Sequence, residues 1–178
     1  MTELRTERLL LRRWHETDRE PMAALNADPE VMEHFPALLD RAQSDSGIDG
    51  IKRHFEQHGY GLWAVDVEGR LAGFTGIQWT DVLGGNDLEV GWRLARWAWG
   101  HGYATEAARA ALEFGFDHVD EIISVTALTN ERSWRVMERL GMQRSGEFDH
   151  PRIPNGHRLR RHVVYRLPSA GGQPGQRP

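Results

Sequence analysis

The run from Trp99 to Ala107, WGHGYATEA, sets two glycines between a strand-like segment and a long helix-like one. Such a turn suits an anion. A helix N-terminus presents about four unpaired amides and a partial positive charge, and glycine lets a phosphate approach the backbone with no Cβ in the way. Thr105 adds a hydroxyl donor. The dinucleotide fingerprint G-x-G-x-x-G/A is not met, because Thr105 stands at its last position. Alone, a Gly-x-Gly turn is as readily an ordinary strand-to-helix connection, so its neighbours must decide.

The remaining inventory is narrow. None of the 178 residues is cysteine, which excludes disulfides, thiolate metal ligands, iron–sulfur ligation and a cysteine nucleophile. Lys52 is the sole lysine and closes no G-x-x-x-x-G-K-[ST] string, which argues against P-loop chemistry. His54 and His58 stand four apart on a helix, but without a third ligand or an H-E-x-x-H string no metal is expected. The net charge of −4 hides an asymmetry: residues 16–49 carry nine acids against two arginines, and residues 150–178 carry six arginines and no acid. The acidic bulk of the chain would repel phosphates, so no nucleic-acid partner is expected. No apolar run nears the roughly 20 residues of a membrane span, and the opening MTELRTERLLLRRW lacks a signal-peptide core. A cytoplasmic protein without a membrane partner is the expectation.

The elements that must position this chemistry follow from periodicity. Residues 8–14 and 60–67 read as strands, the second joined through Glu68-Gly69-Arg70 to another over 71–80 as a hairpin. Thr17 and Glu20 fit a capping box, which predicts a helix start there, and a second helix ends near Gly59. Residues 87–94 read as strand. Beyond Gly102, Ala104, Ala107, Ala108, Ala111, Leu112 and Phe116 recur at helical spacing. A strand over 121–128 precedes a helix opened by Asn130 as N-cap and closed by Gly141. Strand, helix, strand implies a parallel pair whose carboxyl ends share one sheet edge, where ligands gather. A last strand spans 157–167, and residues 168–178 (PSAGGQPGQRP) read as a disordered tail after one domain over 1–167.

Three blocks in this order, LEVGWRL, RWAWGHGYATEAARAALEFGFDHV and SVTALTNERSWRVMERLGM, resemble the GNAT superfamily of acyl-CoA N-acyltransferases, in particular its ribosomal-protein N-acetyltransferase branch. The opening RTERLLLRRW is similar to the start of that branch. The resemblance implies an α/β fold with a strongly twisted mixed sheet, flanked by helices, in which two parallel strands splay around acetyl-CoA. Its Gln/Arg-x-x-Gly-x-Gly/Ala motif falls on Trp99, Gly100, His101, Gly102, Tyr103 and Ala104, with Thr105 following, and the backbone amides there would hold the CoA pyrophosphate. Trp99 departs from the motif's first position.

Amide formation from a thioester needs a neutral amine, a donor for the developing oxyanion and relief for the departing thiolate. An α-amine, with a pKa near ~8 against ~10.4 for lysine, needs the least help to deprotonate. By the resemblance Glu89 is the candidate base, taking the proton directly or through water. The candidate oxyanion donor is the amide of Val90 or a neighbour. The tyrosine that many members place seven residues past the helix-opening Asn is Met137 here, so the branch's Asn-x-x-Ser, Asn130 and Ser133, is the candidate pair for the cofactor and its sulfur. Ser133 and Glu89 are also consistent with a first-turn helix residue and a surface acid. Glu30, Glu33 and Asp81 are expected to attract a cationic amine, with Trp79 as a substrate platform. These readings converge on acetyl transfer from acetyl-CoA, with CoA as product, to a primary amine such as a protein N-terminus, by a monomer or homodimer. Small-molecule amines, including polyamines and aminoglycosides, and a non-catalytic acetyl-CoA-binding module are the alternatives.

Overall fold

Glu68 and Gly69 both adopt positive φ, 52° and 84°, the backbone of a two-residue hairpin turn. That turn sets two long strands side by side and starts the sheet. In the computed structural model, which describes residues 2–170, eight strands are ordered β1-β2-β3-β4-β5-β6-β8-β7. They are β1 (Leu4–Arg5), β2 (Leu10–Arg12), β3 (Leu62–Val67), β4 (Arg70–Thr80), β5 (Asp87–Leu94), β6 (Glu121–Ala127), β7 (Gln143–Asp149) and β8 (Arg161–Pro168). The helices are α1 (Arg19–Asn26), α2 (Arg41–His58), α3 (Tyr103–Gly115) and α4 (Glu131–Arg139). Only β5 and β6 pair in parallel; every other neighbour is antiparallel.

Alternation sorts the strands into two faces. Trp63, Val65, Ile77, Leu88 and Val90 pack with Ala107, Ala111 and Leu112 of α3 and with Met137 of α4. On the other face Ala64 and Phe74 meet Met22, Leu25 and Ile48 of α1 and α2. Cross-strand partners share a face, so the pairs Gln78/Glu89, Gly76/Gly91 and Phe74/Arg93 line the side towards α1 and α2.

Several boundaries differ from the sequence reading. The first strand is confined to Leu10–Arg12, with β1 before it. Helix α1 begins at Arg19 after a 3-10 turn over Glu16–Asp18; Asp18, not Glu20, reaches back, accepting from the His15 N–H at 2.7 Å. Strand β7 was missed because it is an edge strand with almost no apolar face, leaving nothing for periodicity to detect. Strand β8 starts at Arg161, and Leu159 before it packs against Ala127 and Ile153. Of the tail expected over 168–178, Pro168 closes β8 and residues 171–178 lie outside the described residues. Among the described residues no helix is long and apolar enough to cross a membrane.

A buried ion cluster ties β2 to this frame. Arg12 donates to both Asp18 oxygens, at 2.7 and 2.9 Å, and to Asp66 at 3.0 Å. Burial pushes the Asp18 carboxyl up, but hydrogen bonds from Arg12 and the His15 N–H outweigh it and hold it below the usual range. Its stabilisation is therefore present above its unfolded pKa of 3.8 and is lost as pH falls through the lower folded value. Arg12→Leu leaves a buried carboxylate unpaired and is expected to cost about 3 kcal/mol, read as a lower urea midpoint at pH 7.

Candidate active site

Strands β5 and β6 meet at one residue pair, Glu89 with Ile123, and then part. Their backbone edges need substitutes for a ladder. Side chains provide two: Ser124 Oγ donates to the Val90 carbonyl at 2.9 Å, and the Glu89 carboxylate takes a hydrogen bond from the Val125 backbone. Glu89 thus sits in the mouth of the splay. Burial pushes its pKa up to about 7, against smaller lowering effects from the Val125 N–H, the Arg152 charge and the Thr80 hydroxyl. Arg152 in turn pairs with Asp81 at 2.6 Å. A carboxylate balanced near neutrality can accept a proton from an amine and hold it.

The Val90 carbonyl faces β6, where Ser124 occupies it. Trp92 has the same orientation one pleat further along, beyond the last strand pair, so its N–H faces the open part of the splay. The sequence points to Val90 or a neighbour as donor without choosing between them, because strand orientation at a splay carries no composition signal.

The glycine turn follows β5. Gly100 and Gly102 have φ of 79° and 80°, which side chains bearing a Cβ adopt only under strain. Gly102 is the N-cap of α3 and provides no side-chain cap, so the first-turn amides of Tyr103, Ala104 and Thr105 remain open to an anion. Arg8 braces the turn, donating to the His101 carbonyl at 2.9 Å and pairing with Glu106 at 2.6 Å, while His101 stacks on Tyr103. Trp99 is tied down by its indole N–H on the Leu94 carbonyl at 2.8 Å, and Arg132 lies over its ring at 4.5 Å. Arg132, unremarked in the sequence, brings a cation to the position where the motif has Gln or Arg. These features fit a CoA pyrophosphate.

At the start of α4, Asn130 accepts from the Ser133 N–H at 3.3 Å and spends its amide on Thr126 and Ser133 Oγ, at 2.9 and 3.1 Å. Ser133 Oγ therefore accepts from Asn130 and keeps its own proton to donate elsewhere. Met137 is buried in the core, 1% exposed.

The acceptor-side residues are not gathered together. Glu30 pairs with Arg96 at 2.8 Å, Glu33 lies beside His34 at 3.7 Å, and Asp81 holds Arg152. Glu30 and Asp81 thus face arginines, and Glu33 faces a histidine whose pKa burial lowers. Of the three, only Asp81 lies close to Glu89, through Arg152. Trp79 pairs with Leu88 and so turns to the α3 side, away from Glu89, with its indole N–H on the Tyr60 hydroxyl at 2.9 Å.

The raised pKa of Glu89 has a stability signature. The favourable contribution of the protonated form is complete below 4.5, the unfolded value, and is lost as pH rises through about 7. Glu89→Gln is expected to melt with the wild type near pH 4.5 and above it at pH 8, measured by calorimetry.

The sequence profile of the acetyltransferase (GNAT) domain matches residues 8–143. The chain is 32% identical over 149 residues to the uncharacterized protein YkkB of Bacillus subtilis, covering 81% of this chain and 87% of that one. A GNAT-family acetyltransferase from Bacillus anthracis superposes with a TM-score of 0.76 at 28% identity, covering 94% of this chain and 98% of the other. The ribosomal L7/L12 α-N-protein acetyltransferase RimL, solved with coenzyme A, shares the fold with a TM-score of 0.77 at 14% identity, covering 94% and 98%. The chain belongs to the GNAT acetyltransferase family and is an acetyl-CoA-dependent N-acyltransferase.

Proposed function

We propose that this enzyme acetylates an α-amine, in the first place the N-terminus of a protein, with Glu89 as its base. The carrying observation is the Glu89 carboxylate, lodged where β5 and β6 part and balanced near pH 7. A base of that strength is matched to an α-amine with a pKa near ~8 and poorly matched to a lysine or polyamine amine near ~10.4. RimL, which shares the fold, is a ribosomal L7/L12 α-N-protein acetyltransferase.

Acetyl-CoA, when bound, supplies the thioester that makes the acetyl carbon reactive. The first-turn amides of α3, with Arg132 over Trp99, would hold its pyrophosphate. The Trp92 N–H, facing the open part of the splay, would supply a donor for the acetyl oxygen. Glu89 takes the amine proton, and Ser133, oriented by Asn130, donates a hydrogen bond towards sulfur. A serine hydroxyl is a far weaker acid than a thiol of pKa near ~8.5, so it stabilises the thiolate without surrendering its proton. With no cysteine in the chain, direct attack by the amine is the simplest route.

Isothermal titration is expected to show acetyl-CoA binding, weakened about tenfold in Gly102→Val, where a positive φ must accept a β-branched residue; a flat wild-type titration would sink the reading. Glu89→Gln is expected to lower kcat by roughly 10²-fold and to remove an ascending limb near pH 7 from the rate profile. Ser133→Ala is expected to lower turnover about tenfold, the worth of one hydrogen bond to a charged sulfur, with acetyl-CoA affinity unchanged.

A further inference from the structure

The glycine turn before α3 is clasped from a distant segment. Glu106, in the first turn of α3, turns its carboxylate to that segment. Its Oε1 accepts from the Thr6 hydroxyl at 2.6 Å and from the Arg8 backbone N–H at 2.9 Å, and its Oε2 from Arg8 Nε at 2.7 Å and Nη2 at 2.6 Å. These donors come from the link between β1 and β2, with Arg8 98 residues away in the chain. A carboxylate offers about four acceptor sites, so none is left for the amides of Tyr103, Ala104 and Thr105. Thr6 is itself fixed, accepting from the Leu9 N–H at 3.0 Å on Oγ1 and donating its own N–H to the Leu9 carbonyl at 3.0 Å.

Charge makes this placement matter. Burial pushes the Glu106 carboxyl up, but hydrogen bonds from the Thr6 hydroxyl, the Arg8 N–H and the Arg8 side chain outweigh it and hold it below the usual range, so it is an anion at pH 7. An anion in the first turn of a helix competes with a phosphate for the same amides and the same dipole. Arg8 cancels that charge in direct contact. It also acts on the backbone, because its Nη1 donates to the His101 carbonyl at 2.9 Å. A trans peptide points its N–H opposite to its carbonyl, so the Gly102 N–H faces away from Arg8. Gly100 and Gly102, both at positive φ, leave this peptide free to turn over. Turned over, it would present a carbonyl oxygen to a phosphate in place of an N–H. The guanidinium is close enough to prevent this: Nη2 lies 3.5 Å from where Gly102 would carry a Cβ, and the group sits 4.9 Å over the Tyr103 ring.

Resting on the reading of this turn as the pyrophosphate site, we propose that Arg8 is a positioning residue for acetyl-CoA: it keeps the Glu106 carboxylate off the first amides of α3 and the His101 carbonyl turned away from the phosphates. The link between β1 and β2 is thereby part of the cofactor site, although the motif for that site begins only at Trp99.

Isothermal titration with acetyl-CoA tests the assignment. Arg8→Gln is expected to bind about tenfold more weakly than wild type, the worth of one hydrogen bond to a charged group. Adding Glu106→Gln to Arg8→Gln is expected to restore about threefold, because the released carboxylate is what opposes the phosphates. In the wild-type background the same change is expected to bring no such gain, since Arg8 already cancels that charge. A merely structural ion pair gives a different pattern, with the double variant no tighter than Arg8→Gln. Hydrogen exchange on the wild type adds a readout that does not depend on how a variant folds: acetyl-CoA is expected to slow exchange at the Arg8 amide, whose N–H sits on Glu106, because binding and the clasp favour each other reciprocally. Arg8→Gln binding like wild type, a double variant no tighter than Arg8→Gln, an equal gain from Glu106→Gln in both backgrounds, or unaltered exchange at Arg8 overturns the role of Arg8 and leaves the phosphate site standing. A Gly102→Val variant that binds as tightly as wild type overturns the phosphate site itself and the clasp with it.

Discussion

The parting of β5 from β6 after a single residue pair is the constraint on which the rest of the site depends. A sheet interior normally leaves no backbone group unpaired, because each costs about as much as a lost hydrogen bond. This sheet breaks that rule in its middle and compensates with side chains. Ser124 serves the Val90 carbonyl, and the Glu89 carboxylate serves the Val125 N–H. The same substitution that repairs the ladder carries a carboxylate into a desolvated place. Its raised pKa is thus a consequence of how the gap is closed.

The splay also separates two kinds of recognition. On the α3 and α4 side lie an uncapped helix N-terminus, two left-handed glycines and the Arg132–Trp99 stack, all suited to phosphate. On the α1 and α2 side Glu89 lies with Gln78 and within reach of the Arg152 charge, which Asp81 engages.

Much of this was legible in the chain. The β3–β4 hairpin, the extent of β5, the glycine-opened α3 and the Asn130-capped α4 were read from local signals, because turn, cap and periodic residues act over a few positions. The capping box at Thr17 was misassigned because Asp18 is recruited by Arg12, six residues earlier at the end of β2, and by His15. The edge strand β7 was invisible, since one polar strand paired on one side needs no apolar pattern. Glu30, Glu33 and Asp81 looked like a free acidic field until Arg96, His34 and Arg152 were placed beside them.

The sequence by itself determined most of the elements, the glycine turn before α3 and the absence of any cysteine thiol, because each depends on residue type or on contacts a few positions apart. Tertiary structure alone decided the protonation balance of Glu89, the turning of Trp79 to the far face and the placing of Arg132 over Trp99. These are properties of burial and of register between strands, and burial exists only once distant segments have packed.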